Sequence, residues 1–250
     1  MDERYDSTRH AWESIWREAT IENELEAVNS TRSRQTLDVY VPYLPQNAPI
    51  LEAGSGLSAV LLALRERGCS VIGLDYAVNA LEISRAYDPT LTLTAGDVHH
   101  LPIRDASLGA YLSFGVFEHF EAGMGAPLRE AYRVLRKNGI LVLTIPYPNV
   151  IQRALAFKRR VQGVSALNDD SFYESTYSRV TLTAEVISAG FEVLKIIPTS
   201  HSYTLWGLGS LFRASGYYRT NVLAENLGAL ARIFIPWSCN FMTLVIARKS

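Results

Sequence analysis

Hydrophobic positions along this 250-residue chain alternate between short apolar runs and apolar residues at helical spacing. Apolar runs bounded by glycine, proline or aspartate indicate buried strands, and a 3.6-residue period indicates helices. Strand and helix following each other in this way predict a parallel sheet with helices on both faces. The predicted strands cover residues 50–53, 70–75, 91–95, 109–114, 139–145, 191–198 and 241–247, and the core helices cover 57–67, 77–86 and 125–136.

Residues 1–47 precede the first strand and are predicted to form a helical cap, with residues 48–250 as the main domain. Trp12 and Trp16 share a helical face, and a second helix is expected over residues 32–43, where prolines end it. The two tryptophans either cover a bound ligand or pack on the sheet. Tyr5 is a weaker candidate for covering the ligand.

Residues 147–180 depart from the compact connections of the core. They combine an amphipathic, basic helix predicted over 149–164 with an aromatic loop, and a short helix at 184–189 is expected to follow a Thr181–Thr183 cap. Long loops at the carboxyl edge of such a sheet carry function. We therefore expect 147–180 to be a lid over the substrate, with Tyr173 and Tyr177 at the pocket wall.

The amino-acid composition bears on the binding partner, on the role of the cysteines and on the cellular compartment of the protein. Lys plus Arg number 24 and Asp plus Glu 25, so the net charge of −1 does not favour nucleic acid as a partner. Cys69 and Cys239 suggest buried thiols rather than a disulfide framework or a metal cluster. No secretory apolar segment and no run of about 18 apolar residues occurs, which predicts a cytoplasmic protein without a transmembrane segment.

A contact with the membrane surface is a weaker hypothesis. It would use the basic residues between Arg153 and Arg160 and the cluster of Trp206, Leu211 and Phe212. The alternative is a solvated helix face and a core stripe.

The turn after the first predicted strand carries the main chemical signal. Glu52 ends the strand, and Gly54, Ser55 and Gly56 form a turn whose backbone N–H groups can face a nucleotide-like ligand. A carboxylate at this edge repels a pyrophosphate but attracts an ammonium group and a positively charged sulfur, both of which S-adenosylmethionine carries. A dinucleotide remains an alternative, since Gly54, Gly56 and Ala59 fit its relaxed pattern, and so does a tight turn that binds nothing.

Two further aspartates follow later strands. Asp75 lies about twenty residues beyond the glycines, the spacing that brings a carboxylate to the ribose hydroxyls. Its alternative role is to cap the helix that begins near Ala77. Asp97 can accept a hydrogen bond from the adenine amine, and the Val98 N–H can donate to the adenine ring.

These motifs together resemble the class I S-adenosylmethionine-dependent methyltransferases, nearest to the branch with the ubiquinone and menaquinone biosynthesis methyltransferases. The resemblance spans about residues 48–146 and rests on Glu52–Gly56, Asp75, Gly96–Pro102, Val116–Phe120 and Arg129–Gly139. Two departures are tolerable: Ser58 replaces the third glycine of the first motif, and Lys137-Asn138-Gly139 replaces a Pro-Gly-Gly, where Asn138 can adopt the left-handed conformation.

The resemblance implies a Rossmann-like, seven-stranded, mostly parallel doubly wound sheet, with S-adenosylmethionine as cofactor and S-adenosylhomocysteine as its product. The expected cofactor residues are Glu52, Gly54, Ser55, Gly56, Asp75, Tyr76, Asp97, Val98 and Phe114.

His119 is the candidate catalytic base, because it follows the fourth strand and imidazole titrates near neutral pH. The alternative is a structural histidine that orients its loop. His10, His99, His100 and His201 are weaker candidates, and the His99–His100 pair lacks partners at metal-ligand spacing, so no metal site is expected.

The leading hypothesis is transfer of a methyl group to an O, N or C atom of a small-molecule acceptor. The alternatives are a nicotinamide-dependent oxidoreductase, a nucleic-acid methyltransferase and a non-catalytic S-adenosylmethionine-binding protein. Against the nucleic-acid alternative, Ser113-Phe-Gly-Val stands where DNA amino-methylating enzymes carry Asn/Asp-Pro-Pro-Tyr. The acceptor and the oligomeric state are open at this point.

Overall fold

The computed structural model describes residues 3–154 and 174–250, with side chains from Thr8 onward. Seven strands form one sheet in the order β3-β2-β1-β4-β5-β7-β6, parallel except for β7, which runs antiparallel to both of its neighbours. The predicted seven-stranded, mostly parallel architecture is confirmed. The strands are β1 Ile50–Ala53, β2 Val71–Asp75, β3 Leu93–Ala95, β4 Leu108–Phe114, β5 Leu135–Pro146, β6 Phe191–Thr199 and β7 Met242–Lys249.

Nine α-helices with both ends in the described residues surround this sheet, and a further helical segment is described at residues 150–154. Three precede β1, the next three connect the parallel strands, and the remaining three lie between residue 179 and β7. They are α1 Glu3–Glu18, α2 Ile21–Val28, α3 Thr31–Tyr40, α4 Ala59–Arg65, α5 Val78–Tyr87, α6 Gly125–Val134, α7 Arg179–Ser188, α8 His201–Trp206 and α9 Val222–Phe234. Short 3-10 turns occupy residues 41–43, 117–119 and 210–212.

The central strands are buried on both faces of the sheet. All four residues of β1 and the first six of β4 are buried, which explains why these segments are mostly apolar and do not alternate. One core cluster packs α6 and α7 on one face, around Leu128, Leu141 and Val186. A second packs α3 on the other face, around Leu37 and Tyr40.

The first two helices pack over the carboxyl edge of β1 and β2. Ile21, at the start of α2, is buried in a third cluster with Leu57 and Leu61, and Trp16 of α1 packs against the same cluster. The Asn79 side-chain amide of α5 donates to the Glu13 carbonyl oxygen at 2.8 Å, and this hydrogen bond joins α1 to α5. The cap helices are therefore positioned by both apolar packing and hydrogen bonding.

Several predicted boundaries were wrong, among them both ends of the helix predicted over 57–67, which spans Ala59–Arg65. α6 ends at Val134 and β5 begins at Leu135, so the helix predicted to reach residue 136 is shorter. Asn138 does adopt the left-handed conformation (φ 62°), but inside β5 rather than at the end of the helix. The strand predicted from residue 91 begins at Leu93.

The helix predicted over 184–189 begins instead at Arg179. Ser178 is its N-cap, with the hydroxyl oxygen accepting from the Thr181 N–H at 3.1 Å. Thr181 and Thr183 lie inside the first turns, and the Thr183 hydroxyl donates to the Arg179 carbonyl. Two threonines that resemble a cap are thus interior residues here, because a serine three positions earlier satisfies the free N–H groups.

Three further expectations concern the helix after β5, the cysteines and membrane-spanning segments. The helix expected over 149–164 is helical from 150 to 154, and its remainder, including most of its basic residues, lies outside the described residues. Cys69 is buried as expected, whereas Cys239 is only partly buried. Among the helices described, none combines the length and the apolar character that crossing a membrane requires.

Candidate functional site

A cavity of about 240 Å³ lies at the carboxyl ends of β1, β2 and β4, beneath α1 and α2. The carboxyl edge of a parallel sheet, where strand order reverses, is where ligands bind in this architecture. Every residue predicted to contact the cofactor lies on its wall: Glu52, Gly54, Ser55, Gly56, Asp75, Tyr76, Asp97, Val98 and Phe114. The structure therefore brings together residues from four separate segments.

The glycine turn is shaped by close approaches from two directions. Gly54 has φ 80°, and a Cβ there would lie 2.3 Å from Cγ2 of Val116, while Gly56 has φ 47°, and a Cβ there would lie 2.6 Å from Cζ2 of Trp16. Side chains are excluded at both positions by neighbouring protein atoms as well as by backbone conformation. Ser58 also has a left-handed backbone (φ 62°) immediately before α4, where the resembled family has glycine.

Asp75 fastens the glycine turn to the end of β2. One carboxylate oxygen accepts from the Gly56 N–H and the other from the Ala77 N–H, each at 2.8 Å. α5 begins at Val78 without a side-chain N-cap, so Asp75 is not the helix cap that the alternative interpretation required. The Tyr76 N–H is a third backbone donor, and because a carboxylate has about four lone-pair sites, Asp75 could still accept a ribose hydroxyl. Burial raises the pKa of Asp75, and the backbone donors partly oppose that shift.

Glu52 is the least satisfied charged group of the cavity. It is 5% exposed, and its Oε2 atom is buried without a hydrogen-bond partner among the described residues. Burial and the nearby Asp75 carboxylate raise its pKa well above the ordinary value, and a backbone N–H from Leu61 in α4 opposes this. A cationic ligand in the cavity would favour ionised Glu52, which is the fit expected for the ammonium and sulfonium of S-adenosylmethionine.

Asp97 is already engaged by its neighbours. Its Oδ1 atom accepts from the His99 backbone N–H and lies within hydrogen-bond distance of His99 Nδ1, both at 2.8 Å. The His99 ring in turn packs edge-on against Phe120. Any hydrogen bond from an adenine amine would have to be added to this arrangement, so Asp97 also has the structural turn role.

His119 lies on the cavity wall, in the 3-10 turn 117–119 that follows β4. Its ring packs edge-on against Trp12 with a centroid distance of 5.3 Å, and Trp12 stacks on Trp16 at 5.5 Å. Both tryptophans line the cavity, and Trp16 also packs against the core beneath it, so the two alternatives for these residues hold together. His10, His99, His100 and His201 are not on this wall.

The sequence did not indicate two residues of the cap. Glu24 and Val28 of α2 line the cavity opposite the glycine turn. Burial raises the pKa of Glu24, although a hydrogen bond from the Tyr217 hydroxyl opposes the shift. Thr20 is the N-cap of α2, accepting from the Asn23 N–H, and this signal could have predicted the helix. Nothing in its spacing indicated which face would meet the cavity.

Of the two tyrosines predicted to contact the substrate, the structure describes one. Tyr177 is partly buried against the first core cluster, its N–H donates to the Pro146 carbonyl at 3.2 Å, and it is not among the cavity-wall residues. Tyr173 lies outside the described residues. Close by, the backbone N–H and the hydroxyl of Ser175 both donate to the Glu118 carbonyl, at 2.9 and 3.0 Å. Residues 174–177 are therefore anchored beside the turn that carries His119.

The sequence is similar to those of known methyltransferases. Residues 51–143 match the family model described as a methyltransferase domain. A protein of Mycolicibacterium smegmatis, named a probable S-adenosylmethionine-dependent methyltransferase, is 32% identical over 97 residues, covering 39% of this chain and 37% of its own length. A demethylmenaquinone methyltransferase of Thermotoga maritima is 27% identical over 168 residues, covering 67% of each chain.

A structural comparison supports the fold. A chain from the complex between the Haloferax volcanii Trm112 methyltransferase activator and a methyltransferase superposes with a TM-score of 0.65 at 17% identity, covering 95% of this chain and 96% of its own. At this identity the likeness concerns the fold. The chain spans 37% to 45% of the length of the first three curated relatives that it matches.

Proposed function

We propose that the whole chain transfers a methyl group from S-adenosylmethionine to an O, N or C atom of a small-molecule acceptor. The proposal is supported by the match of residues 51–143 to the family model described as a methyltransferase domain and by a relative named a probable S-adenosylmethionine-dependent methyltransferase. The relative from Thermotoga maritima is named a demethylmenaquinone methyltransferase, which supports a small acceptor. The near-neutral net charge gives no support to a nucleic-acid acceptor.

The buried, partly unsatisfied carboxylate of Glu52 is the observation that carries this proposal. A pyrophosphate-bearing nicotinamide cofactor would bring negative charge toward Glu52 and Asp75, which are buried together at the end of β1 and β2. A ligand with an ammonium and a sulfonium brings positive charge instead. The same cavity therefore favours S-adenosylmethionine over the oxidoreductase alternative on electrostatic grounds.

The remaining wall residues have assigned roles in this proposal. Glu52 and the glycine turn would hold the methionine end, Asp75 the ribose, and Asp97 with Val98 the adenine edge. When bound, S-adenosylmethionine supplies a methyl group on a positively charged sulfur, which is strongly electrophilic. The chain's own contribution is to orient the acceptor against that methyl and to exclude water beneath Trp12 and Trp16, and orientation alone can lower a barrier by roughly 7–11 kcal/mol.

His119 is the residue proposed to take a proton from a hydroxyl or amine acceptor. It lies on the cavity wall, and Trp12 fixes one edge of its ring. A neutral imidazole nitrogen facing the acceptor could remove the proton as the new bond forms. An acceptor carbon would need less help from a base. Tyr173 and Tyr177 stay candidates for acceptor contacts beyond the cavity itself.

Calorimetric titration with S-adenosylmethionine, S-adenosylhomocysteine and NADH tests the cofactor part of the proposal. We expect both sulfur ligands to bind and NADH not to bind. Because a bound cation favours ionised Glu52, binding of S-adenosylmethionine should release protons, seen as a dependence of the heat on buffer ionisation enthalpy. Glu52→Gln should remove that dependence. Tight NADH binding with no response to S-adenosylmethionine would overturn the proposal.

Turnover separates an enzyme from a binding protein. S-adenosylhomocysteine formation is measured with panels of quinols, phenols, amines and carboxylic acids as acceptors. Product formation above the acceptor-free background supports methyl transfer. Cofactor binding without turnover across all of these classes would favour the non-catalytic alternative.

A further inference from the structure

α9 turns its large apolar side chains toward solvent. Val222 is 76% exposed, Ile233 67% and Phe234 75%, and Leu223, Leu227 and Leu230 are exposed as well. The buried side of the helix carries small residues, Ala224 and Gly228, and a Cβ on Gly228 would lie 2.6 Å from the Ser202 nitrogen. The helix therefore packs closely through its small residues, and its large ones lie outside.

The exposed residues form one continuous surface. At 100° per residue, positions 222, 223, 227, 230, 233 and 234 fall on a single arc of the helix, and Asn226 is the polar residue within it. The arc continues into the preceding turn, because the Asn221 side chain donates to the Leu211 carbonyl at 2.7 Å and Leu211 is 68% exposed. We call the surface made by Leu211, Val222, Leu223, Leu227, Leu230, Ile233 and Phe234 the apolar face.

Positive charge accompanies the apolar face. Residues 207–235 contain three arginines and one glutamate, a net charge of +2, although the whole chain carries −1. Glu225 accepts from the Thr220 hydroxyl, Arg219 pairs with Glu26 of α2 at 3.1 Å, Arg232 lies 3.4 Å from the Gln35 amide oxygen, and Arg213 packs over Trp206 at 3.9 Å. In the ion pairs of the described residues, Arg213, Arg232 and Glu225 have no partner of opposite charge, which leaves this segment with a net charge of +1 outside those pairs. Arg213 lies beside Leu211 of the apolar face, and Arg232 lies on the opposite side of α9.

We propose that the apolar face docks on an anionic lipid surface, with α9 lying parallel to it. A helix of 13 residues is about 20 Å long, and an amphipathic helix of this kind inserts its apolar side at the boundary between headgroups and acyl chains. Trp206 and Tyr218, which pack on each other beside Arg213, are residue types that favour that boundary. Docking is independent of the proposed methyl transfer.

A second copy of the chain is the competing occupant. Pairing two apolar faces would also bring two positively charged segments together, whereas anionic headgroups would neutralise them. Charge complementarity therefore favours the lipid surface. Vesicle binding and oligomeric state are measured on the same full-length samples, so the two occupants give different results.

Co-sedimentation with vesicles of phosphatidylcholine alone, and of phosphatidylcholine with phosphatidylglycerol, tests the proposal. The wild-type chain should bind the anionic vesicles more tightly than the neutral ones. Leu227→Glu combined with Leu230→Glu should abolish binding, and Val180→Glu, at a 74% exposed apolar residue of α7 outside the apolar face, should leave it intact. Arg213→Gln, two residues from Leu211 of the apolar face, should weaken binding to anionic vesicles about fivefold and leave neutral vesicles unaffected.

Circular dichroism and calorimetric titration with S-adenosylmethionine accompany every variant. An unchanged spectrum and an unchanged cofactor affinity in the double variant attribute lost vesicle binding to the apolar face rather than to misfolding. Failure to bind either vesicle, or a doubled mass in light scattering that the double variant returns to the monomer, would overturn the proposal. Neither result would affect the case for the cofactor.

Discussion

Two helices of similar composition face opposite environments. α4, which follows the glycine turn, buries Ala59 and the run Leu61–Leu64, whereas α9 exposes Leu223, Leu227 and Leu230. α4 packs with α2 and Leu93 of β3 in the third core cluster, whereas the two buried residues of α9, Ala224 and Gly228, are small. Apolar periodicity therefore predicts that a helix has an apolar side. Whether this side is buried depends on which other segments pack against it.

The largest expected effect distinguishes a histidine on the cavity wall from one beside α9. His119 lies on the cavity wall, whereas His201 at the start of α8 bonds to the Pro236 carbonyl at 2.9 Å. His119→Ala should lower kcat about 10²–10⁴-fold if it is the base. His201→Ala should lower the free energy of unfolding and leave kcat unchanged. Steady-state kinetics with the acceptor found by screening measures both, and a loss below tenfold in His119→Ala would leave it a structural role.

Leucine truncation compares the two helices directly. Leu61→Ala removes a fully buried side chain beneath the glycine turn and should cost about 2–5 kcal/mol of the free energy of unfolding. Leu230→Ala, at a residue 52% exposed, should change it by less than about 0.5 kcal/mol. Urea unfolding followed by circular dichroism gives both values. Equal losses would show that α9 is covered in solution.

Replacing a carboxylate in the cavity should weaken cofactor binding, and replacing one in α9 should not. Asp75→Ala should weaken S-adenosylmethionine binding by about 1.5–3 kcal/mol, since it removes a charged acceptor and releases the Gly56 and Ala77 N–H groups. Glu225→Gln, in α9, should leave the affinity unchanged. Calorimetry on variants that retain the wild-type circular dichroism spectrum measures this, and an unaltered affinity in Asp75→Ala would remove the ribose assignment.

The last expected effect concerns the pH dependence of stability. Burial raises the pKa of Glu118, beside His119, from 4.5 to about 8. Between these values the folded state holds a proton that the unfolded state has lost, so stability falls as pH rises through this window. Glu118→Gln cannot ionise and should become more stable than the wild type as the pH rises across this window, by about 1.4 kcal/mol for each pH unit, with little difference below pH 4.5. Unfolding curves at several pH values would show parallel profiles if Glu118 were solvated.

The strand, turn and helix around residue 52 could be read from the sequence because they are contiguous. Glu52, the two glycines and Asp75 are placed by backbone geometry within single βα units, where spacing along the chain fixes position in space. Glu24 and Val28 reach the same cavity from α2, a placement set by packing of Ile21 on Leu57 and Leu61. Such a long-range contact leaves no periodic signal near residue 24.

Local signals also competed with one another. Thr181 and Thr183 looked like caps, but Ser178 fills that role. Asn138 was expected to turn the chain at the end of a helix, yet Leu135 already pairs with Leu108 at the start of β5. Leu135 is buried and paired whereas residues 136–138 are exposed, so the contact of one residue with β4 sets where the strand begins.

The position of β7 has a consequence for synthesis of the chain. β7 lies between β5 and β6 and pairs with both, so Phe191–Thr199 has no sheet partner until residues 242–249 have left the ribosome. The strands β1 to β5 pair only with one another and with β7, which allows this half of the sheet to assemble earlier. Until then β5 presents an open, apolar edge, the kind of surface that nascent chains bring to chaperones.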